Sequence, residues 1–321
     1  MFQNALILLL IVMFNWFKVI DIPPPLYANI VIFNFFFKLE SGKMKKSENT
    51  EKWALVTGAS GGVGKEIATI LAEKKYNLVL VARSEDKLSS LHDELILKNE
   101  IQVKIFACDL SKENAAHEIF DFCKKEKIKI NLLMNNAGCG LYGSSIELGD
   151  KAVGMLKLNI IALTQMCSVF GSDMASRGEG SILNIGSIAG NQPTPMFASY
   201  AASKNYVLSY SLALRHELSE YGVNVTCVQP GYIRTNFDNN CGIVSEKYKK
   251  FSYKNGMSAH AVAKCAVNSV LAGRSYVRAG FANKVTAFAS GLIPKNFLAW
   301  CISKSMKSLT SDTSKSCDAK N

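Results

Sequence analysis

None of the nine cysteines stands in a C-x-x-C pair; Cys108, Cys123, Cys139, Cys167, Cys227, Cys241, Cys265, Cys301 and Cys317 are scattered and odd in number. That is unlike a disulfide framework or a zinc site, and they read as reduced, intracellular thiols. Histidine is scarce: His92, His117, His216 and His260 make no H-E-x-x-H or H-x-x-x-H spacing, so no metal is expected. With 22 glycines and 7 prolines the chain is neither collagen-like nor a linker array. No zinc-finger, homeodomain or RNA-recognition signature accompanies its 37 basic and 26 acidic residues. The basic residues read as spread along the chain, loosely enriched at Lys43, Lys45 and Lys46 and again after Arg274, so the formal charge of +11 does not indicate nucleic acid.

What is present is apolar. A 48% hydrophobic and 20% charged composition over 321 residues allows a large buried core and excludes a disordered chain. Between Trp53 and Val228, short apolar runs alternate with longer amphipathic ones. Strands are predicted at Trp53–Thr57, Asn77–Ala82, Val103–Ala107, Ile130–Met134, Ser181–Ile185 and Val223–Val228, with helices between. Continuous runs such as Leu78-Val79-Leu80-Val81 suit strands covered on both faces. The expected fold class is α/β, a doubly wound parallel sheet of Rossmann type in a three-layer α/β/α sandwich with one catalytic domain. Ligands then bind at the carboxyl ends of the strands.

The ends of the chain differ from this middle. Residues 1–43 form an apolar segment in which Ala5–Ile20 and Leu26–Phe37 are separated by Pro23, Pro24 and Pro25. Each is shorter than the roughly 20 residues that span a bilayer. A membrane anchor, an uncleaved signal-like segment, and an extension outside the working protein, which would then start at Met44, all fit. For an anchor, Lys38, Lys43, Lys45 and Lys46 place the domain on the cytoplasmic side. The protein is therefore expected in the cytoplasm, or on a membrane with its catalytic domain in the cytoplasm. The domain is bounded at 44–275, and 276–321 reads as a basic amphipathic tail. In the tail Phe281, Val285, Phe288 and Leu292 make one stripe and Leu298, Ile302, Met306 and Leu309 another. Packing on the domain or a second subunit, or contact with a membrane surface, would account for them. Residues 308–321 are polar and expected to fray.

The motifs lie at the predicted strand ends. Thr57-Gly58-Ala59-Ser60-Gly61-Gly62-Val63-Gly64 follows the first strand and opens a helix, where glycines admit a close pyrophosphate and free N–H groups face its charge. Arg83, followed by Ser84, ends the second strand where an acidic residue would accept from a ribose 2′-hydroxyl. Arg83 instead suits a 2′-phosphate, which favours NADP(H) over NAD(H). Asp109, before Leu110, is placed for the adenine edge or for a helix N-cap. Asn136, Ala137 and Gly138 leave room beside the fourth strand, and Asn136 could equally tie two strands together. Tyr200 and Lys204, four apart, share a helix face, where an ammonium can favour a phenolate. Ser187 stands 13 residues earlier, at a strand end.

TGASGGVG, NNAG, a helical Asn159, Ser187 and YAASK in this order resemble the short-chain dehydrogenase/reductase family in its compact single-domain form. The resemblance covers roughly residues 51–275. The runs 78–88 and 140–143 and the tail 280–284 are similar to its bacterial-type branch of generic oxidoreductases. The resemblance implies that Tyr200 is the general acid/base, and that Lys204 binds the nicotinamide ribose and lowers the phenol's pKa. Ser187 would polarise the substrate carbonyl, and Asn159 would hold a proton-relaying water. Pro230, Gly231 and Thr235 would contact the nicotinamide end. Val63, where isoleucine is usual, is the one departure. The implied activity interconverts a carbonyl and an alcohol with NADP(H); the alternatives are a membrane-tethered reductase of lipid carbonyls (acyl, steroid or retinoid) and an NAD-dependent alcohol dehydrogenase. The expected partners are a small-molecule carbonyl or alcohol and a second copy of the chain, paired through the helices of Asn159 and Tyr200. Residues 139–146, 191–197 and 232–252 should line the substrate side. Leu141, Pro193, Met196, Phe197 and Phe237 suggest an apolar pocket, open to acyl, retinoid, steroid or other carbonyls.

Overall fold

Four consecutive fully buried residues, Leu78 to Val81, can be accommodated only in a strand covered on both sides, and the computed structural model places them at the heart of a seven-stranded parallel sheet. It describes residues 51–310. The anchor, extension and signal readings of 1–43, the start at Met44, and residues 311–321 lie outside the described residues. The chain runs β1 (Trp53–Thr57), α1 (Gly62–Glu73), β2 (Asn77–Ala82), α2 (Glu85–Lys98), β3 (Val103–Ala107), α3 (Ala115–Lys125) and β4 (Ile130–Asn135). There follow α4 (Ser145–Leu156), a π-helical turn (Lys157–Ala162), α5 (Leu163–Arg177), β5 (Gly180–Ile185), a 3-10 turn (Ile188–Asn191), α6 (Ala198–Ser219) and β6 (Val223–Gln229). The remainder is β7 (Ile233–Arg234), α7 (Phe237–Asn240), α8 (Glu246–Asn255), β8 (Met257–Ser258), α9 (Ala259–Leu271), β9 (Tyr276–Arg278), α10 (Phe281–Leu292) and α11 (Lys295–Thr310).

The sheet order is β3-β2-β1-β4-β5-β6-β9, so the order reverses between β1 and β4 and opens a crevice at their carboxyl ends. Side chains alternate across each strand. In β1, Ala54 and Val56 pack with Ile67, Leu71, Leu88 and Val267 of α1, α2 and α9, while Trp53 and Leu55 pack with Ile119, Phe170, Val207 and Leu214 of α3, α5 and α6. These two apolar layers are the cores of the expected sandwich. The helical stretch Ser145–Arg177 is long and apolar enough to cross a membrane, yet Met166, Cys167, Phe170 and Met174 on it are buried against the sheet.

The C-terminal part departs from the expectation. β9 begins one residue beyond the 275 boundary and pairs Cys227, Val228 and Gln229 with Tyr276, Val277 and Arg278, so the sheet extends into the segment read as a tail. Three half-buried residues carry too little alternation to mark a strand. Residues 308–310, expected to fray, are helical: the Ser245 hydroxyl donates to Leu309 O at 2.6 Å and Lys247 Nζ to Ser308 O at 2.8 Å, satisfying terminal carbonyls. Of the two stripes, the second packs inward through Leu298 and Met306, whereas Phe281, Val285, Phe288 and Leu292 stand exposed.

Candidate active site

The crevice begins at the turn between β1 and α1. Gly58 and Gly62 hold φ of 68° and 54°, and a Cβ on Gly64 would collide with the Gly58 carbonyl, so α1 starts directly against the strand end. Its N-cap, Gly61, provides no side-chain cap, and no acidic residue sits in the first turn. The N–H groups and the positive end of the dipole are therefore free to receive a phosphate. Thr235 lies opposite, its Cγ2 3.6 Å from where a Gly62 Cβ would be. A cleft of ≈260 Å³ lined by Ser60, Lys65, Asp86, Lys87, Ser90 and Leu91 continues the groove along α2.

Several of the expected cofactor residues have structural work of their own. Asn136 ties β1 to β4: its Nδ2 donates to Thr57 O at 2.9 Å, while its backbone N and that of Ala137 both donate to Thr57 Oγ1 at 3.0 Å. Asp109 does not cap α3, whose N-cap is Asn114. Its Oδ1 accepts from Ser111 N at 3.0 Å and Ser111 Oγ at 2.8 Å, which, with Arg83 nearby, holds the carboxyl below its ordinary range. Leu110 turns its side chain into the core, so only its backbone can face the groove. Arg83 and Ser84 are exposed at the end of β2.

At the catalytic end, Asn159 lies in the π-helical turn rather than in a regular helix, a distortion common at functional sites. It is 1% exposed; Nδ2 donates to Cys139 O at 2.8 Å and Ser203 Oγ at 3.1 Å, and Oδ1 accepts from Cys139 N at 3.0 Å. A Cβ on Gly138 would sit 3.2 Å from Asn159 Oδ1 and 3.4 Å from Lys204 Nζ, so the missing side chain leaves the space beside both. Lys204 Nζ donates to Ile185 O at 3.0 Å and lies 5.9 Å from the Tyr200 ring centroid. Ser187 heads the 3-10 turn, its Oγ accepting from Ala189 N at 3.2 Å. Pro230 O accepts from Ile188 N at 3.0 Å, tying the cofactor-side loop to the serine. Asn159, Ser187, Tyr200 and Lys204 thus converge from three elements, the π-helical turn, the 3-10 turn and α6, at the carboxyl ends of β4 and β5.

Burial acts on the tyrosine and the lysine in opposite senses. Burial pushes the Tyr200 phenol above its ordinary value, and a hydrogen bond with the Ser187 hydroxyl is the one opposing influence. Burial also brings the Lys204 ammonium down to about 8. The ammonium spends its charge on a carbonyl and its desolvation, and it sits nearly 6 Å from the phenol ring. Tyr200 is held protonated, the form required of an acid.

Residues that sequence reasoning missed surround this group. Buried Gln229 donates from Nε2 to Ser187 O at 3.0 Å and accepts at Oε1 from Asn191 Nδ2 at 3.1 Å, so it positions the serine turn. Beneath lies a polar chain from Asn135 Nδ2 to Asn184 Oδ1 (2.9 Å) and from Asn184 Nδ2 to Ser211 Oγ (2.9 Å). Phe197 and Phe237 flank Tyr200 at 6.0 and 5.7 Å. Tyr142, Tyr248, Cys241, and Ile302, Met306 and Leu309 of α11 complete the apolar cluster, whereas Leu141, Pro193 and Met196 are not members. Tyr142, Cys241 and Tyr248 fall in the ranges 139–146 and 232–252 expected on the substrate side, and helical spacing carried the hint of α11. A cleft of ≈380 Å³ lined by Arg234, Thr235, Asp238, Lys249, Lys250 and Tyr253 reaches Thr235 but not Tyr200.

Comparison with known proteins agrees with this geometry. The family model described as short chain dehydrogenase matches residues 52–243. A very-long-chain 3-oxoacyl-CoA reductase of Pyrenophora tritici-repentis is 33% identical over 219 residues, covering 66% of this chain and 63% of the relative. One of Anas platyrhynchos is 33% identical over 190 residues, 57% of this chain and 60% of the relative. The chain thus spans less than two thirds of the length of these relatives. Among solved structures, a short-chain dehydrogenase from Sphingobium yanoikuyae in complex with NADPH superposes with a TM-score of 0.66 at 27% identity, covering 74% of this chain and 92% of its own. A bulky-bulky ketone specific alcohol dehydrogenase from Comamonas testosteroni gives 0.64 at 26%, covering 76% and 94%. The chain belongs to the short chain dehydrogenase family.

Proposed function

We propose that the protein is an NADPH-dependent reductase of a carbonyl on a long apolar substrate, with a 3-oxoacyl thioester as the first candidate. The observation that carries this reading is Tyr200, paired with Ser187 and set in a wall of aromatic and aliphatic side chains. The glycine turn, the uncapped start of α1 and exposed Arg83 fit a dinucleotide with a 2′-phosphate. When bound, the nicotinamide supplies the hydride. Ser187 donates a hydrogen bond to the carbonyl oxygen, and Tyr200 transfers its proton to that oxygen as negative charge develops. Lys204 and Asn159 return a proton to Tyr200, and Phe197, Phe237 and Tyr142 hold the apolar chain and exclude water. The thioester is favoured by the names of the relatives in Pyrenophora and Anas.

A second copy of the chain is proposed against α4, the π-helical turn that follows it and α6, where Val153, Ile161 and Leu212 are exposed. The test follows NADPH absorbance with 3-oxoacyl-CoA thioesters of increasing chain length, beside steroid, retinoid and small ketones. Rising kcat/KM with chain length is expected. Faster turnover of short polar ketones, or of alcohols with NAD, would replace the reading with a general alcohol dehydrogenase.

A further inference from the structure

A helix that exposes its largest apolar residues while burying only small ones lacks a partner. α10 buries Ala287 and Ser290, yet exposes Phe281 (81%), Val285, Phe288 and Leu292 (72%), which recur at helical spacing along one side. After Ile293 and Pro294, α11 exposes Phe297 and Trp300, stacked with ring centroids 5.8 Å apart and with Lys304 Nζ 5.4 Å over the indole.

The charge of this region is as one-sided as its surface. From Lys247 to Ser311 the sequence contains eleven basic residues and no acidic one, which equals the formal charge of the whole chain, +11. The rest of the protein is neutral in sum. The enrichment read after Arg274 is thus part of a longer wholly basic stretch that begins at Lys247. Lys284, Lys304 and Lys307 are exposed on the same two helices as the aromatic residues.

We infer that the exposed side of α10 and the start of α11 rests on an anionic bilayer surface. Phenylalanine and tryptophan enter the boundary between headgroups and acyl chains, while lysines meet acidic headgroups. A second copy is a poor occupant: a two-fold contact would set these lysines against their own copies with no acidic residue to pair them. A nucleic acid would leave the apolar stripe in water. The inference stands apart from the substrate reading but suits it. Lys295 Nζ donates to Asn191 O at 2.9 Å beside the Ser187 turn, and the inner side of α11 joins the apolar cluster that contains Tyr200. A membrane-dissolved substrate would thus meet the protein one helix away from the catalytic phenol.

The full chain is tested by co-sedimentation with phosphatidylcholine vesicles with and without phosphatidylserine, and by region-resolved hydrogen exchange on the bound protein. Exchange separates this surface from any contribution of residues 1–43. Binding is expected to require phosphatidylserine and to slow exchange in peptides covering 281–310. Each lysine near such a surface contributes about five-fold in partition, so Lys284→Gln with Lys304→Gln should lower it about 25-fold. Phe281→Glu with Phe288→Glu should lower it further while leaving the melting temperature unchanged, since both side chains are exposed. Unchanged exchange across 281–310 on vesicles, or variants that partition like the wild type, overturns the inference. So does sedimentation showing that the phenylalanine variant splits an oligomer, which would assign the surface to a second copy.

Discussion

Replacing Lys204 by methionine makes a quantitative test of the buried ammonium. Burial brings this lysine from 10.5 to about 8. The folded protein therefore holds its proton less tightly than the unfolded chain does. Below pH 8 both states carry the proton, and the fold bears the full penalty of a desolvated charge. Between about pH 8 and 10.5 the folded state releases it first, so the unfolded chain binds more protons and stability rises with pH. The 2.5-unit interval corresponds to about 3 kcal/mol. Lys204→Met lacks this gain. The stability of the variant relative to wild type should accordingly fall by about 3 kcal/mol between pH 7 and 10.5. The lost bond to the Ile185 carbonyl shifts both ends of that comparison equally, and so drops out of the difference. Urea unfolding followed by circular dichroism at a series of pH values measures it. Parallel curves for the two proteins would refute the desolvated ammonium.

Tyr200→Phe removes the proton donor without opening a cavity; turnover should fall by about 10²–10⁴-fold while NADPH affinity, measured by fluorescence titration, stays near wild type. An active phenylalanine variant would end the assignment of Tyr200. Arg83→Asp exchanges charge-assisted donors for an acceptor at the end of β2, which should lower the NADP-to-NAD preference by about ten- to hundred-fold, and equal preference before and after would remove Arg83 from cofactor choice. Gln229→Leu frees the Ser187 carbonyl and leaves buried partners unpaired, costing about 1–3 kcal/mol of stability. It should also lower kcat in the wild-type background but not in Ser187→Ala, a non-additivity that distinguishes positioning from mere loss of fold.

The parallel sheet and the order of the motifs were legible because they rest on local chemistry. Leu78 to Val81 can be buried only between two layers, the glycines at 58, 62 and 64 answer to backbone geometry within one turn, and Tyr200 and Lys204 share a face through helical spacing alone. Val103 to Asn135 and Ser181 to Gln229 followed the same rule, with β4, β5 and β6 each one residue longer than the apolar pattern. β9 was missed because three half-buried residues acquire strand geometry only by pairing with β6. Gln229, Asn184 and Ser211 look unremarkable in sequence, since a buried polar side chain is recognisable only from partners tens of residues away.

Local sequence also determined which residue types could reach the strand ends, for periodicity and turn chemistry act over a few residues. Tertiary packing decided their protonation and their surroundings. The phenol is raised by the elements closed around it, and α11 arrives at the substrate wall from the far end of the chain. The two amphipathic stripes had similar spacing, yet only one found a groove to fill. Burial and desolvation depend on contacts that no short stretch of sequence contains.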